Sequence, residues 1–514
     1  MTALSDTLLR DMASKGIDAD LTLSILGDYN AGAYDGVEPV RAAGVPAVDG
    51  RTVIRLGSDG PHAVPAALAR ERLSALALPL PRCAEETGNV EARRLAFPRE
   101  ALEEIGWSLM GRTAFGVLNG GSATSYADSK KNLAFGQEAF AALEGPFARM
   151  AVLCRDRPKG LAPAFVQPDG TPGESFLLLK MRARLVAAAR AGAAKAGAAR
   201  ATAGAAPFMP LFQMTSVGND AELGAAYEEY RSHPLLKPLA ERTGLDPVDW
   251  ATGVQPMIAA YTHSSEGRPK RVFDRAFGRP DAALALPGGH GQCFRVLAPL
   301  LRALRDGGIR YAYLGNVDNL GYLPDPVEIA LLALSGAPAA FDFSLRTSVD
   351  VKGGVLVETE EGGRTVADIG PAISFDEVRR LEASGASILF NCATGLFDLD
   401  WLVPRLDELG RALPVRFTDQ DKDAGRYSQA EQVTWEVTGL LPSFIAFAVD
   451  KYDRFIAAKL LVETLLTSGI GEGDPRIPPA LAETSRLLKA GLEAKLAGPY
   501  GLTLRGGRWE AASI

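Results

Sequence analysis

From residue 113 onward, short apolar runs alternate with longer segments whose apolar positions recur at helical spacing. The apolar runs lie at 114–118, 208–214, 283–286, 311–314 and 388–390, and the helical segments lie at 133–143, 222–230 and 294–304. Strands that alternate with helices in this way indicate βαβ units, so the pattern predicts an α/β fold with a largely parallel sheet. The runs lead into segments of Gly, Asn, Asp or Ser, at the strand ends where such sheets bind ligands.

The predicted domain organisation follows the changes in texture along the chain. Residues 1–112 are predicted to form a helical N-terminal subdomain, with a short strand at 52–54. The alternating pattern at 113–464 predicts the main domain, and 465–514 predicts a short helical C-terminal tail that begins with several Gly and Pro residues. The Ala-rich segment at 185–206 is interpreted as a solvated helix or a helix plus a linker.

Composition and charge exclude several classes of protein. The chain has 514 residues, of which 47% are hydrophobic and 23% charged, and its formal net charge is −7. This balance is typical of a globular protein and argues against a nucleic-acid binder that neutralises many phosphates. The four cysteines are far apart and form no CxxC pair. Their spacing favours a reducing, cytoplasmic location over a disulfide framework or a zinc cluster.

The sequence also predicts no association with membranes. The N-terminal segment has acidic residues early and lacks the apolar core of a signal peptide. The most apolar stretch, at 440–449, is about half as long as the roughly 20 residues that a membrane helix needs. The acidic charge balance leaves the oligomeric state open, a homo-oligomer included.

Three of the strand ends carry candidate chemistry. Residues 119–121 form an Asn-Gly-Gly turn, whose exposed backbone N–H groups suit phosphate oxygens. Residues 287–292 place His290 among three glycines, a backbone surface that a ligand can approach closely. Asp318 follows a strand, as suits Mg²⁺ held by one or two carboxylates plus phosphates. Taken singly, the Asn-Gly-Gly segment is as typical of an ordinary turn as of a phosphate site. Asp318 by itself is as typical of a helix cap as of a metal ligand.

Taken in chain order, eight segments resemble motifs of the UTP–glucose-1-phosphate uridylyltransferase family, also called UDP-glucose pyrophosphorylases. The segments are LNGG at 118–121, PLFQMTS at 210–216, GVQPMI at 253–258, PGGHG at 287–291, NVDNLG at 316–321, DVKGG at 350–354, FN at 390–391 and DRFIAAK at 453–459. Each is short, but eight in the family's order are specific. The resemblance implies a GT-A-like, Rossmann-type nucleotidyltransferase domain with Mg²⁺ as cofactor.

The reaction that the resemblance implies is UTP plus a sugar 1-phosphate, glucose 1-phosphate first, giving a UDP-sugar and pyrophosphate. The nucleophile is then a phosphate oxygen, which is ionised near neutral pH because its second pKa is about 6. Such a reaction needs no Ser-His-Asp triad. It needs two polyanions brought together by Mg²⁺, lysines and backbone N–H groups, which are the residue types found in these segments.

The resemblance also implies a role for individual residues. The nucleotide-binding residues would be Gly120, Gly121, Gln255, Gly288 and Gly289, with Gln255 reading the uracil edge. The sugar or its phosphate would contact Lys352, Gly353 and Asn391. The catalytic residues would be Lys130 or Lys131, Lys459 and His290, and the Mg²⁺ ligand would be Asp318.

The sequence departs from the family pattern after the glycine loop. The family continues with Gly-Thr and then a Pro-Lys whose lysine supports catalysis, whereas this chain has Ala123-Thr124 and no Pro before Lys130. The usual lysine aligns with Asn132, so Lys130 or Lys131 is expected to substitute for it.

Three alternatives stay open at this level. A UDP-N-acetylhexosamine or UDP-sugar pyrophosphorylase would share the same motifs. The altered loop also suits a nucleotide-sugar-binding relative that has lost catalysis. A glycosyltransferase of related fold would need an Asp-x-Asp metal pair. Asp398 and Asp400 have that spacing but are interpreted as opening a helix at 401–409.

Overall fold

The computed structural model describes residues 4–35, 40–57, 60–88, 93–123, 126–155, 157–192, 208–347, 350 and 353–512. The strands are β1 (Ala42–Gly44), β2 (Val53–Arg55), β3 (His62–Pro65), β4 (Glu85–Thr87), β5 (Arg94–Phe97), β6 (Thr113–Leu118), β7 (Leu211–Ser216), β8 (Trp250–Gln255), β9 (Met257–Ala259), β10 (Tyr261–Thr262), β11 (Ala285–Pro287), β12 (Tyr311–Asn316), β13 (Ala339–Leu345), β14 (Gly354–Thr359), β15 (Arg364–Asp368), β16 (Leu389–Asp398), β17 (Arg416–Lys422), β18 (Gly425–Glu431), β19 (Ile445–Val449), β20 (Leu502–Arg505) and β21 (Arg508–Ala511).

The α-helices are α1 (Asp6–Ser14), α2 (Ala19–Asn30), α3 (Ala66–Ala75), α4 (Arg99–Met110), α5 (Ser129–Leu133), α6 (Gln137–Cys154), α7 (Phe176–Arg190), α8 (Asp220–Arg231), α9 (Lys237–Thr243), α10 (Cys293–Val296), α11 (Ala298–Asp306), α12 (Pro326–Ser335), α13 (Phe375–Ala383), α14 (Leu399–Leu402), α15 (Leu406–Ala412), α16 (Lys451–Arg454), α17 (Leu461–Thr467) and α18 (Pro479–Ala497). Short 3₁₀ turns include His290–Gln292 and Thr434–Leu440. None of the helices in the described part of the chain has the length and apolar composition needed to cross a bilayer.

One sheet of eleven strands organises the molecule. Its main path runs β2-β19-β13-β16-β12-β6-β7-β8, and β14 joins β16 and carries β1 and β15. Along the main path every pair is parallel except the two that involve β16, which runs antiparallel to β13 and β12. The predicted α/β class with a mostly parallel central sheet is therefore confirmed.

Helices cover both faces of this sheet, as a buried parallel sheet requires. All six residues of β6 are buried, and alternate residues belong to different core clusters. Phe115 and Val117 pack with α3, α4, α6, α7 and α12, while Ala114 and Leu118 pack with α10, α11, α14 and α15. Successive residues point to opposite faces of the strand, and both faces are buried. The segment is therefore a continuous apolar run.

The N-terminal region contributes more than helices. Strand β2 adds to the edge of the central sheet in parallel with β19, and β3, β5 and β4 form a separate three-stranded sheet. The domain boundaries at 112 and 464 stay a prediction. The interpretation of the Ala-rich segment from 185 as solvated is wrong for Leu185, Val186 and Ala188, which are buried in α7. Residues 193–207 of that segment lie outside the described residues.

The reversal of β16 determines which segments meet. The parallel strands β6, β7, β8 and β12 end at one edge of the sheet. Because β16 runs the opposite way, its first residues lie at that same edge, and Leu389 pairs with Leu345 at the end of β13. One edge therefore collects the segments after β6, β8 and β12 together with Asn391.

A buried charge cluster lies beneath this edge. Arg454, Glu328 and Asp342 are 5%, 0% and 2% exposed, respectively. Arg454 Nη2 lies 2.7 Å from Glu328 Oε1 and 3.0 Å from Asp342 Oδ2. Burial raises the pKa of both carboxyl groups, and that of Glu328 lies well above its ordinary value. One guanidinium thus serves two carboxyl groups in the core.

The cluster fixes the segment 453–459 against the loop that carries Asp318. Asn319 Nδ2 donates to the Arg454 carbonyl oxygen at 3.0 Å, and Leu320 N donates to Ile456 O at 3.0 Å. From the other side, buried Lys180 donates to the carbonyl oxygens of Asn319 and Tyr322, both at 2.6 Å. The two segments are therefore held together by hydrogen bonds.

We predict that Arg454→Met destabilises the fold by about 3–5 kcal/mol, because it leaves two buried carboxyl groups without their cation. Urea unfolding followed by circular dichroism measures the midpoint. The matched control is Arg486→Met, which removes an arginine from an exposed ion pair with Glu483 on α18 and should leave the midpoint unchanged. Equal midpoints for Arg454→Met and the wild type would contradict the role given to the cluster.

Candidate active site

A cavity of about 630 Å³ opens at the sheet edge where these segments meet. Five residues predicted for the site lie in its wall, and they are His290, Asp318, Gly353, Asn391 and Lys459. They come from five separate segments of the chain, so the fold brings together what the sequence keeps apart. The predicted sugar-side residue Lys352 lies outside the described residues.

Asp318 is paired with Lys159, a residue that the sequence motifs did not indicate. Lys159 Nζ lies 2.9 Å from Asp318 Oδ2, and the two side chains are 12% and 19% exposed. The same ammonium donates to Ala458 O at 2.7 Å and lies over the ring of Tyr126, 4.3 Å from its centroid. Lys159 thus connects the Asp318 loop to the residue that precedes Lys459.

The position of Lys159 also accounts for the missing Pro-Lys. Lys159 N donates to Gly121 O at 3.0 Å, and Ala123 N donates to Arg157 O at 2.8 Å. Pro158-Lys159 therefore lies beside the glycine loop, although α5 and α6 separate the two segments in sequence. Gly160 packs against the side chain of Asn119, where a Cβ would clash. The dipeptide was visible in the sequence, but the family spacing pointed to Lys130 and Lys131 instead.

Lys130 and Lys131 lie on the short helix α5, where both residues are exposed and neither lines the cavity. The residue that aligns with the family lysine, Asn132, is buried. Its Oδ1 accepts from Val462 N at 2.9 Å, and its Nδ2 donates to Tyr126 O at 2.9 Å. Asn132 therefore hydrogen-bonds to the start of α17. Its buried surroundings would not accommodate the longer side chain of a lysine. The catalytic role of Lys130 or Lys131 stays a prediction.

The predicted nucleotide residues surround Gln255. Its Nε2 donates to Gly289 O at 2.8 Å and to Gln292 Oε1 at 3.0 Å, and the side chain is buried. A Cβ on Gly120 would touch Gln255 Oε1, so the loop passes directly over this amide. Both amide hydrogens point at acceptors, which leaves the oxygen of Gln255 toward the glycine loop.

The glycines at 288 and 289 permit a close approach to the segment before Thr434. Gly289 has a φ of 82°, and a Cβ there would clash with the backbone of Gln432. Gln432 N donates to Gly288 O at 3.0 Å. Gly291 N donates to Gln432 O at 2.9 Å. These two backbone bonds hold the His290 turn in one register against the 3₁₀ turn at 434–440.

His290 is held tightly in the cavity wall. Thr434 N lies 3.1 Å from its Nδ1, and Thr434 Oγ1 lies 2.8 Å from the same nitrogen. Burial lowers the pKa of His290 from its ordinary 6.5 to about 4. The ring is therefore neutral at physiological pH.

The cavity is also lined by an ion pair that no sequence motif indicated. Arg416 Nε donates to Glu436 Oε1 at 2.8 Å, and both residues line the cavity with Asn391. Asn391 Oδ1 accepts from Ala393 N at 3.0 Å. Arg416 lies on β17 and Glu436 on a 3₁₀ turn, so only the packing of those elements brings them to the site. They supply hydrogen-bonding groups where Gly353 and Asn391 were predicted to meet the sugar.

Lys459 is placed by its backbone. Glu463 Oε2 accepts from the backbone N–H groups of Lys459 and Leu460, at 2.7 and 2.8 Å. Burial raises the pKa of Glu463. Lys459 itself is exposed, and within the described ranges its ammonium has no hydrogen-bond or ion-pair partner. It is a free positive charge on the wall of the cavity.

The oxygen donors near Asp318 fit Mg²⁺ that is completed by substrate. Among the described residues, no three His, Cys, Asp or Glu side chains are grouped to hold a metal. Asp318 provides one carboxylate, and Asn316 and Asn391, which carry amide oxygens, also line the cavity. Mg²⁺ is commonly held by one or two carboxylates, phosphate oxygens and water, so this donor set suits it.

The chain is similar to known proteins in part of its sequence and in its fold. A family model described as UTP–glucose-1-phosphate uridylyltransferase matches residues 273–457. A UDP-glucose phosphorylase structure from Trypanosoma brucei is 16% identical, with a TM-score of 0.56, and the match covers 92% of this chain and 80% of that one.

Two further structures are similar. A mutant of UDP-glucose pyrophosphorylase from Leishmania major is 15% identical, with a TM-score of 0.55, over 90% of this chain and 79% of that chain. UDP-N-acetylglucosamine pyrophosphorylase from Trypanosoma brucei, in complex with an inhibitor, is 20% identical, with a TM-score of 0.52, over 84% and 78%. At these identities the likeness shows the fold. No curated protein sequence matches the chain.

We predict that His290 lowers stability in mild acid. Its pKa is about 4 in the folded protein and the ordinary 6.5 in the unfolded chain, so between these values the unfolded state binds the extra proton. The free energy of unfolding therefore rises with pH across this window, and the contribution of the neutral ring is complete above it. The full contribution is on the order of 3 kcal/mol.

Urea unfolding at intervals between about pH 4 and pH 7 measures this dependence. His290→Gln removes the titrating ring and should flatten the slope relative to the wild type. Parallel pH dependences for the two proteins would show that the ring titrates normally in the folded state.

Proposed function

We propose that the chain, whose residues 273–457 match the model of the UTP–glucose-1-phosphate uridylyltransferase family, is a divergent member of that family and transfers a uridylyl group from UTP to a sugar 1-phosphate. The products are a UDP-sugar and pyrophosphate. One observation carries the proposal: Lys159 pairs with Asp318 at 2.9 Å where the glycine loop meets the Lys459 segment. Asp318 and Lys459 line the cavity with Gly353 and Gly354, and Lys159 contacts Asp318 beside it.

The uracil would bind over the glycine loop. Gln255 uses both amide hydrogens on Gly289 O and Gln292 Oε1, so its oxygen is the group left to accept from a base. Uracil offers an N–H at position 3, whereas cytosine offers an acceptor there. Gly120 lies directly above this amide and admits the base and ribose because it has no side chain. This arrangement favours UTP over CTP.

The triphosphate would lie between the loop and Asp318. The Gly-Gly turn supplies backbone N–H groups, and Lys159 supplies a positive charge beside them. Asp318 would hold Mg²⁺, which neutralises phosphate charge and fixes the phosphate oxygens when it is bound. In this arrangement Lys159 would exchange its carboxylate partner for the phosphates.

The sugar 1-phosphate would enter from the other end of the cavity. Its phosphate would face Lys459, and its hydroxyls would face Gly353, Asn391 and the Arg416–Glu436 pair. The attacking phosphate oxygen is already ionised near neutral pH, so the transfer requires positioning and charge stabilisation without a general base. The neutral His290 agrees with this requirement, since a ring with a pKa of about 4 is a weak base and carries no acidic proton near pH 7. Glucose 1-phosphate is the first candidate substrate.

The experiment that tests this function is a pyrophosphate-release assay on the purified protein. Four nucleoside triphosphates are paired with glucose 1-phosphate, N-acetylglucosamine 1-phosphate and galactose 1-phosphate in the presence of Mg²⁺. We expect release with UTP and one sugar, and no release after chelation of the metal. Asp318→Asn is the matched inactive control, because it keeps the shape and removes the charge that holds Mg²⁺.

Release with another nucleotide would keep the reaction and overturn the role of Gln255. Silence for every pair, from protein that still binds a UDP-sugar, would overturn catalysis and favour a binding relative. Full metal-dependent turnover by Asp318→Asn would overturn the metal assignment.

We predict that Lys159→Met lowers kcat by about 10²–10³-fold, because it removes a preorganised positive charge from the site of phosphate transfer. Steady-state kinetics with UTP measure the loss. The control is Lys237→Met, an exposed lysine on α9 that is paired with Glu241. Lys130→Met and Lys131→Met, measured in parallel, test the prediction from the sequence that one of these two lysines is catalytic. A larger loss in either of them than in Lys159→Met would return the catalytic role to α5.

A further inference from the structure

We propose that Thr434 fixes His290 as the Nε2–H tautomer, so that the ring presents one neutral hydrogen-bond donor to a ligand oxygen in the cavity. Thr434 is thereby a positioning residue. The tautomer rests on the direction of the hydrogen bond from the Thr434 backbone N–H to Nδ1. The identity of the ligand oxygen, a phosphate oxygen of the substrates, rests on the proposed function.

The direction of one hydrogen bond decides the tautomer. The backbone N–H of Thr434 points at His290 Nδ1 from 3.1 Å, and an amide N–H can only donate. A hydrogen on Nδ1 would face the amide hydrogen directly. Nδ1 is therefore the unprotonated nitrogen, and the hydrogen of the neutral ring lies on Nε2.

The hydroxyl of Thr434 adds a second constraint. Thr434 Oγ1 lies 2.8 Å from His290 Nδ1 and 2.8 Å from the carbonyl oxygen of the same residue. A hydroxyl carries one hydrogen, so with Nδ1 unprotonated Thr434 shares that hydrogen between Nδ1 and the carbonyl oxygen, and its side chain contacts both the ring and the backbone of His290. Because Gln432 is bonded to Gly288 and Gly291 through the backbone, neither residue can shift past the other. The ring has one orientation.

The groups around the His290 ring do not counteract the lowering of its pKa by burial. Trp435 lies with its ring centroid 6.4 Å from that of His290, and Cys293 also contacts Thr434. The charged residues on the elements packed against the turn are Arg295 on α10, Arg426 and Glu431 on β18, and Glu436, which pairs with Arg416. Burial alone lowers the pKa of His290.

The remaining nitrogen of the His290 ring is Nε2. Nε2 lies across the ring from Thr434, and in the part of the chain that the structure describes it has no hydrogen-bond partner. His290 is itself part of the cavity wall. A lone N–H donor there selects an acceptor, and an ionised phosphate oxygen is the strongest acceptor that the substrates carry. The ring would thus hold a phosphate without adding a charge.

Nuclear magnetic resonance tests the tautomer directly. The chain has four histidines, so selective ¹⁵N-histidine labelling gives few signals, and His290→Gln identifies those of His290. We expect the long-range proton–nitrogen pattern of a neutral Nε2–H ring, unchanged between about pH 5.5 and pH 8. An Nδ1–H pattern, or a titration midpoint within that range, would overturn the proposal. The measurement needs no turnover, so it stands even if the protein proves inactive.

Kinetics test the positioning role of Thr434. Thr434→Val keeps the backbone N–H and removes the hydroxyl, so the tautomer should persist while KM for the sugar 1-phosphate rises about three- to tenfold. Thr434→Ser restores the hydroxyl and should stay within about twofold of the wild type. Equal KM values for the valine variant and the wild type would overturn the positioning role. Unfolding curves for both variants exclude a general loss of structure.

The ring nitrogen that binds the ligand can also be tested by replacement. A Gln side chain carries its amide nitrogen about as far out as Nε2, whereas an Asn amide reaches only as far as Nδ1. We expect His290→Gln to keep substantially more kcat/KM than His290→Asn. The reverse order would place the ligand at Nδ1 and overturn the proposal.

Discussion

The buried guanidinium of Arg454 is the constraint on which the site depends. It pairs with Glu328 and Asp342 in the core, and the backbone oxygen of Arg454 accepts a hydrogen bond from Asn319 beside Asp318. Burying three ionisable groups is costly, and it is tolerated only where their geometry is satisfied. The cluster therefore holds the Asp318 loop at a fixed distance from the segment that ends in Lys459. A contact between exposed loops would hold this distance less firmly.

On this base, the charges of the site are arranged for positioning more than for proton transfer. Asp318 is balanced by Lys159, Lys459 carries a free charge, and His290 is neutral. The ion pair of Arg416 and Glu436 lines the same cavity as Asp318, His290 and Lys459. Electrostatic preorganisation of this kind suits a reaction whose nucleophile is already ionised.

The reversed strand β16 explains how so many short motifs reach one cavity. In a wholly parallel sheet, Asn391 would lie at the edge opposite to Asp318, because it stands near the start of its strand. The antiparallel pairing of β16 with β12 and β13 brings it to the same edge. A sequence shows the apolar run at 388–390 but carries no sign of the direction in which the strand will pair.

By itself, the sequence determined the α/β class and the strand ends that carry chemistry, because burial on both faces and the exit of each strand leave local patterns. It pointed to His290, Asp318, Gly353, Asn391 and Lys459, which the structure places on one cavity. Only the tertiary structure decided the partners: Lys159 for Asp318, Thr434 for His290 and Arg454 for the core. Each of these depends on a contact between segments far apart in the chain. Such contacts are set by packing of the whole fold, and no local period or spacing encodes them.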